Sequence, residues 1–115
     1  MTKAKKNSHE SNINRELQKV ANNGKILIGA RETVKALEGN EAKLVIYASN
    51  CPKELKADFR ERCNGTDTLI YEYPANSAEL GLACGKPFTI ASLCVVDVGG
   101  SEILRLLPSI TYAKK

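Results

Sequence analysis

Ile13, Leu17, Val20 and Ala21 fall at i, i+4, i+7 and i+8, the apolar stripe of one helix face. Asn22-Asn23-Gly24 closes that stripe, because Asn and Gly accept the left-handed conformation of a helix end. Lys25–Ile28 is then a short strand that stops at Gly29. Glu32 through Glu38 reads as helix, with Ala30, Val34 and Leu37 on one side and Gly39-Asn40 as its end. Lys43–Ala48 (KLVIYA) is almost continuously apolar at strand length, which suits a strand covered on both faces. Ser49-Asn50-Cys51-Pro52 is the exit turn. Pro52 fits a first helical position, and Glu54 falls in the first turn, where negative charge is favoured.

Leu55, Phe59 and Cys63 form the inner stripe of the helix that follows, up to Asn64-Gly65. Thr68–Tyr71 reads as a third strand. Asn76-Ser77-Ala78-Glu79 matches a capping box, with Asn as cap and Glu at the third helical position. Leu80, Ala83 and Cys84 then face inward until Gly85. Thr89–Val96 (TIASLCVV) is a fourth strand. Gly99-Gly100-Ser101 is a turn with a serine cap, and Ile103, Leu104 and Leu107 make a last short helix before Pro108. One helix followed by four strand–helix pairs predicts an α/β fold, a three-layer α/β/α sandwich around one sheet.

A chain of 115 residues is expected to form one domain, here residues 11–107 between a basic tail (residues 1–10) and a C-terminal tail (residues 108–115). No apolar run reaches the ~18 residues of a membrane helix, and no secretory leader is visible, so a soluble intracellular protein is expected. The formal charge of +4 is concentrated in the first 25 residues. The rest is nearly neutral, so a nucleic-acid ligand would have to be recognised through shape and a few placed groups rather than diffuse attraction.

Chemistry is scarce. The only histidine, His9, lies in the tail, so Ser or Cys nucleophiles lack a base. The four cysteines are spaced by 12, 21 and 10, without a close pair, so neither metal nor disulfide is expected. Gly85-Lys86 echoes the end of a phosphate loop, but Pro87 replaces the required Ser or Thr. Glu54, Asp58 and Glu61 alternate with Lys53, Lys56, Arg60 and Arg62, a solvated helix face. Neither an enzyme nor a cofactor is expected.

Three junctions carry residues that a core does not require: Gly29-Ala30-Arg31-Glu32, Ser49-Asn50-Cys51-Pro52 and Gly85-Lys86-Pro87-Phe88-Thr89. Each has a plain explanation. Gly29 makes a tight turn, Asn50 caps a helix, Phe88 is core, and Arg31 and Lys35 are merely solvated. The alternative joins them. Free backbone N–H groups at a helix start suit phosphate, Arg31 and Lys35 add charge there, Asn50 can read a base edge, and Phe88 offers a flat face. That is the chemistry of RNA.

GKILIGARETVKALEGNEAKLVIYASNCP and NSAELGLACGKPF resemble the archaeal and eukaryotic large-subunit ribosomal protein number thirty family, within the kink-turn-binding group, from about Asn12 to about Leu106. The resemblance implies a four-stranded mixed sheet between helices and loops that face a kink-turn or related internal loop of ribosomal RNA. It places RNA contacts at Gly29, Arg31, Asn50 and Phe88, with Glu32 and Lys35 matching contact positions of the wider group and Lys86 near the RNA backbone. With their neighbours Ala30, Cys51, Pro52 and Thr89 these make up the expected surface. Thr89 stands where some members have a basic residue. The wider group often has asparagine at the position of Arg31, which favours the ribosomal branch over a non-ribosomal kink-turn module of a modification or processing particle. The implied partners are large-subunit ribosomal RNA and neighbouring ribosomal proteins, in the cytoplasm, with a monomer outside the ribosome and no small-molecule substrate or membrane.

Overall fold

A computed structural model of the chain describes residues 8–106. Residues 1–7 of the expected tail, Leu107 of the expected last helix and the expected C-terminal tail lie outside the described residues. The elements run α1 (Ser8–Asn23), β1 (Lys25–Ile28), α2 (Ala30–Glu38), β2 (Leu44–Tyr47), α3 (Lys53–Cys63), β3 (Leu69–Glu72), α4 (Ser77–Ala83), β4 (Ser92–Asp97) and α5 (Ile103–Leu106). This is the order read from the hydrophobic periods.

Most strand and helix ends shift by one or two residues, and three boundaries differ in a way that has a physical reason. Helix α1 starts at Ser8, inside the stretch expected as tail. Periodicity marks the part of a helix that is buried, and the turn before Ile13 carries no apolar stripe to announce it. Pro52 caps α3 instead of opening it, with extended backbone (φ −56°, ψ 140°). Its carbonyl accepts the N–H groups of Leu55 and Lys56 at 3.0 and 3.1 Å. Strand β4 begins at Ser92, not Thr89, because residues 89–91 cross α4 before joining the sheet. There Ile90 N–H donates to the Ser77 carbonyl.

The sheet order is β1-β4-β2-β3. Strand β4 pairs antiparallel with both β1 and β2, and β2 pairs parallel with β3. Every residue of β2 is buried, because its neighbours cover its edges and helices cover both faces. Leu44, Ile46, Leu93 and Val95 point to one face, under Ile13, Leu17 and Val20 of α1, Leu80 of α4 and Ile103 of α5. Val45, Tyr47, Ile70 and Cys94 point to the other, under Ala36 of α2 and Phe59 and Cys63 of α3. Each fully buried side chain of this size stabilises the fold by about 1.5–3 kcal/mol relative to its exposed state. The two cores fix a mixed four-stranded sheet between helical layers, and so fix where the connecting loops emerge.

Candidate nucleic-acid interface

The sheet topology brings the three candidate junctions together. Ile28 at the end of β1 is opposite Leu93 near the start of β4, and Tyr47 at the end of β2 is opposite Ser92 and Glu72. Gly29 N–H donates to the Ser92 carbonyl at 2.9 Å, and Ala48 N–H to the Ala91 carbonyl at 2.9 Å. The loops after β1, β2 and β3 and the segment entering β4 therefore share one end of the sheet. In sequence these stretches are tens of residues apart.

Gly29 has φ 107° and ψ 156°. This region is almost exclusive to glycine, so the residue is dictated by backbone conformation rather than by crowding. A Cβ added there would meet nothing within 4 Å. Its carbonyl accepts both the N–H and the hydroxyl of buried Thr33, at 3.0 and 2.8 Å. The turn thus locks the first turn of α2. Arg31 and Glu32 are exposed on that turn and Lys35 on the next, and their side chains have no ion pair or hydrogen-bond partner among the described residues. Ala30 packs partly against the second core.

Asn50 does cap backbone, but not of the helix that follows it. Its Oδ1 accepts the N–H of Ser77, the first residue of α4, at 2.9 Å. Asn76 caps the same helix, accepting Glu79 N–H at 3.0 Å, as the capping box predicted. Pro52 is exposed beside Asn50. Cys51 is only 4% exposed and belongs to the core, so its side chain is withheld from the surface. Burial pushes its thiol above the ordinary range, against the opposing positive charge of Lys56.

Phe88 is not a core residue: it is 51% exposed. The reason lies in Gly81 on α4. A Cβ there would fall 1.9 Å from the Phe88 carbonyl, and Lys86 N–H donates to the Gly81 carbonyl at 2.9 Å. The backbone of residues 86–89 lies directly on the helix, and the phenyl ring is left half exposed. Ala78, Leu82, Lys86, Pro87, Phe88 and Thr89 line a shallow groove of ≈ 240 Å³. Leu82, 66% exposed, is an addition that the sequence reading lacks. Its signal is present there: it falls off the inward stripe of Leu80, Ala83 and Cys84. A larger depression at the opposite end of the sheet, near Lys43, Asp67 and Leu69, holds none of the expected residues.

The end of the sheet thus presents cations that have no partner among the described residues, a fixed amide and a half-exposed phenyl ring on rigid supports. Phosphate, base edge and base face are the groups that such a set can hold.

Residues 11–105 match the Ribosomal protein L7Ae/L30e/S12e/Gadd45 family. The chain is 45% identical over 93 residues to the large ribosomal subunit protein eL30 of Methanosarcina mazei, covering 81% of this chain and 86% of the relative. It is 36% identical over 95 residues to eL30 of Methanocaldococcus jannaschii, covering 83% and 86%. A solved structure of a protein with unknown function from Bacillus halodurans C is similar with a TM-score of 0.71 and 25% identity, over 82% of this chain and 94% of that one.

Proposed function

Because the chain belongs to the L7Ae/L30e/S12e/Gadd45 ribosomal protein family, we propose that it is a non-catalytic, RNA-binding protein of the large ribosomal subunit. Its ligand is a kink-turn or related internal loop of ribosomal RNA, held by the loops after β1 and β2 and by the segment that enters β4. The relatives named eL30 support the ribosomal assignment. The observation that carries the RNA surface is the half-exposed Phe88 on the same sheet end as Gly29, Arg31 and Asn50.

In this reading Arg31 and Lys35 neutralise phosphates next to the free N–H groups at the start of α2. Gly29 lets the RNA backbone approach without meeting a side chain. Asn50 pairs with a base edge, and Phe88 stacks on a base that the bend has unstacked, with Leu82 and Lys86 beside it. Single-stranded and bulged RNA is recognised by these contacts, since the deep groove of an RNA helix excludes side chains. The partners are large-subunit ribosomal RNA and adjacent ribosomal proteins, and the location is the cytoplasmic ribosome.

Ultraviolet crosslinking in cells, followed by sequencing of the bound RNA, tests the assignment. The expected result is one internal loop of large-subunit ribosomal RNA. Crosslinks spread over small guide or spliceosomal RNAs would favour the non-ribosomal alternative. Arg31→Ala should weaken binding to that loop and lower the dependence of log affinity on log salt by about one phosphate contact, with the melting temperature unchanged.

A further inference from the structure

The loop carrying Asn50 is restrained at each successive residue. Ser49 N–H donates to the Ala75 carbonyl at 2.9 Å, and Cys51 N–H to the Ala48 carbonyl at 3.0 Å. Lys56 Nζ, reaching back from α3, donates to the Ser49 carbonyl at 2.9 Å. That ammonium is itself held, 3.2 Å from Glu72 at the end of β3 and 5.7 Å from the centroid of the Tyr47 ring. Asn50 is fixed from the other side by Ser77 N–H at 2.9 Å, with the hydroxyl of Ser77 3.5 Å from its Nδ2.

The contact with Ser77 also decides which way the amide faces. A backbone N–H can only donate, so it requires the oxygen of Asn50, and the nitrogen is left to donate to the Ser77 hydroxyl. An unrestrained Asn could offer donor or acceptor interchangeably. This one offers its second Nδ2–H and one remaining lone pair of Oδ1, in a fixed order. Lys56 carries a charge, which would suggest a phosphate contact. Its charge is already engaged by a carbonyl, a carboxylate and an aromatic face.

We propose that Lys56 and Ser77 are positioning residues that hold the Asn50 amide ready to read RNA, and that neither acts by touching RNA itself. This rests on the RNA-binding reading of the loop given above. A side chain ordered in advance loses little freedom on binding, so releasing it weakens affinity without removing a contact.

The test is a double-mutant cycle in filter binding to protein-free large-subunit ribosomal RNA over a salt series, with small-subunit ribosomal RNA as control. The variants are Asn50→Ala, Lys56→Met, Lys56→Arg, Ser77→Pro and the pairs of the last three with Asn50→Ala. Ser77→Pro deletes the N–H while keeping the helix, since proline is favoured at a first helical position and Asn76 is already extended (φ −80°, ψ 179°). Lys56→Met keeps the aliphatic stem and removes the donor.

Lys56→Met and Ser77→Pro are each expected to weaken binding about three- to ten-fold, the range for loss of one hydrogen bond. Neither should weaken it further once Asn50 is alanine. The salt dependence should equal that of the wild type, and Lys56→Arg, which keeps a donor, should recover part of the loss. Should Ser77→Pro fail to fold, the Lys56 arm decides alone. Losses that persist undiminished in the Asn50→Ala background, a salt slope reduced by about one in Lys56→Met, or no loss at all would overturn the proposal. If the wild type does not prefer large-subunit over small-subunit RNA, the RNA-binding reading itself fails, and the positioning role goes with it.

Discussion

At the level of single residues, Gly29 is expected to serve both fold and binding, and Phe88 binding alone. The backbone of Gly29 (φ 107°, ψ 156°) strains any other residue, although a methyl group would meet no atom. Gly29→Ala should therefore lose about 1–3 kcal/mol of stability, readable as a lower denaturant midpoint with an unchanged slope. Phe88→Ala should spare the fold. A half-exposed ring contributes little to the core, so unfolding should change by about 0.5 kcal/mol or less, while RNA binding should fall by about 1–3 kcal/mol if a base stacks there. Sequence alone does not decide whether Phe88 is core or surface. The deciding contact is the Gly81 backbone under the Phe88 carbonyl, which is invisible to hydrophobic periodicity. Asn50 is partly legible: its capping habit can be read, but its partner lies 27 residues away.

Among the elements, α5 is clasped to α1 by one carboxylate. Glu16 Oε1 accepts the Ser101 hydroxyl at 2.8 Å and the Glu102 N–H at 3.0 Å, and Lys19 lies 3.4 Å from Oε2. The Glu102 N–H and the Ser101 hydroxyl hold its pKa below the ordinary 4.5, outweighing burial, which acts the other way. A folded pKa below the unfolded one gives stability that is complete above the unfolded value and is lost as pH falls through the folded value. Glu16→Gln should thus be less stable than wild type near neutral pH, and the gap should close on acidification below the unfolded value; parallel urea titrations across that range measure it. For α4, Asn76→Ala should cost about 1 kcal/mol, since it removes the acceptor for Glu79 N–H. This cap is readable because its partners are three residues apart. The start of β4 is not, because residues 89–91 bond to α4 before they reach the sheet.

For the molecule as a whole, the two cores leave every cysteine buried. Desolvation pushes Cys63, Cys84 and Cys94 up to about 11. At neutral pH a haloacetamide should label the native protein slowly, and denaturant should release all four thiols; fast labelling of the folded state would contradict the packing described. The alternation of elements is legible because each buries one face at its own period. The strand order β1-β4-β2-β3 does not follow from that alternation, and it is the shared direction of β1, β2 and β3, opposite to β4, that collects the loops after them at one rim. Gly81 illustrates what such a rim demands of residues beneath it. Any side chain at this position would act as a wedge between helix and overlying strand entry, lifting the 86–89 segment and re-aiming the phenyl ring. A missing methyl thereby governs the placement of a ring it never joins, and if that ring stacks on RNA, mutational scans of RNA affinity should register position 81 as strongly as position 88.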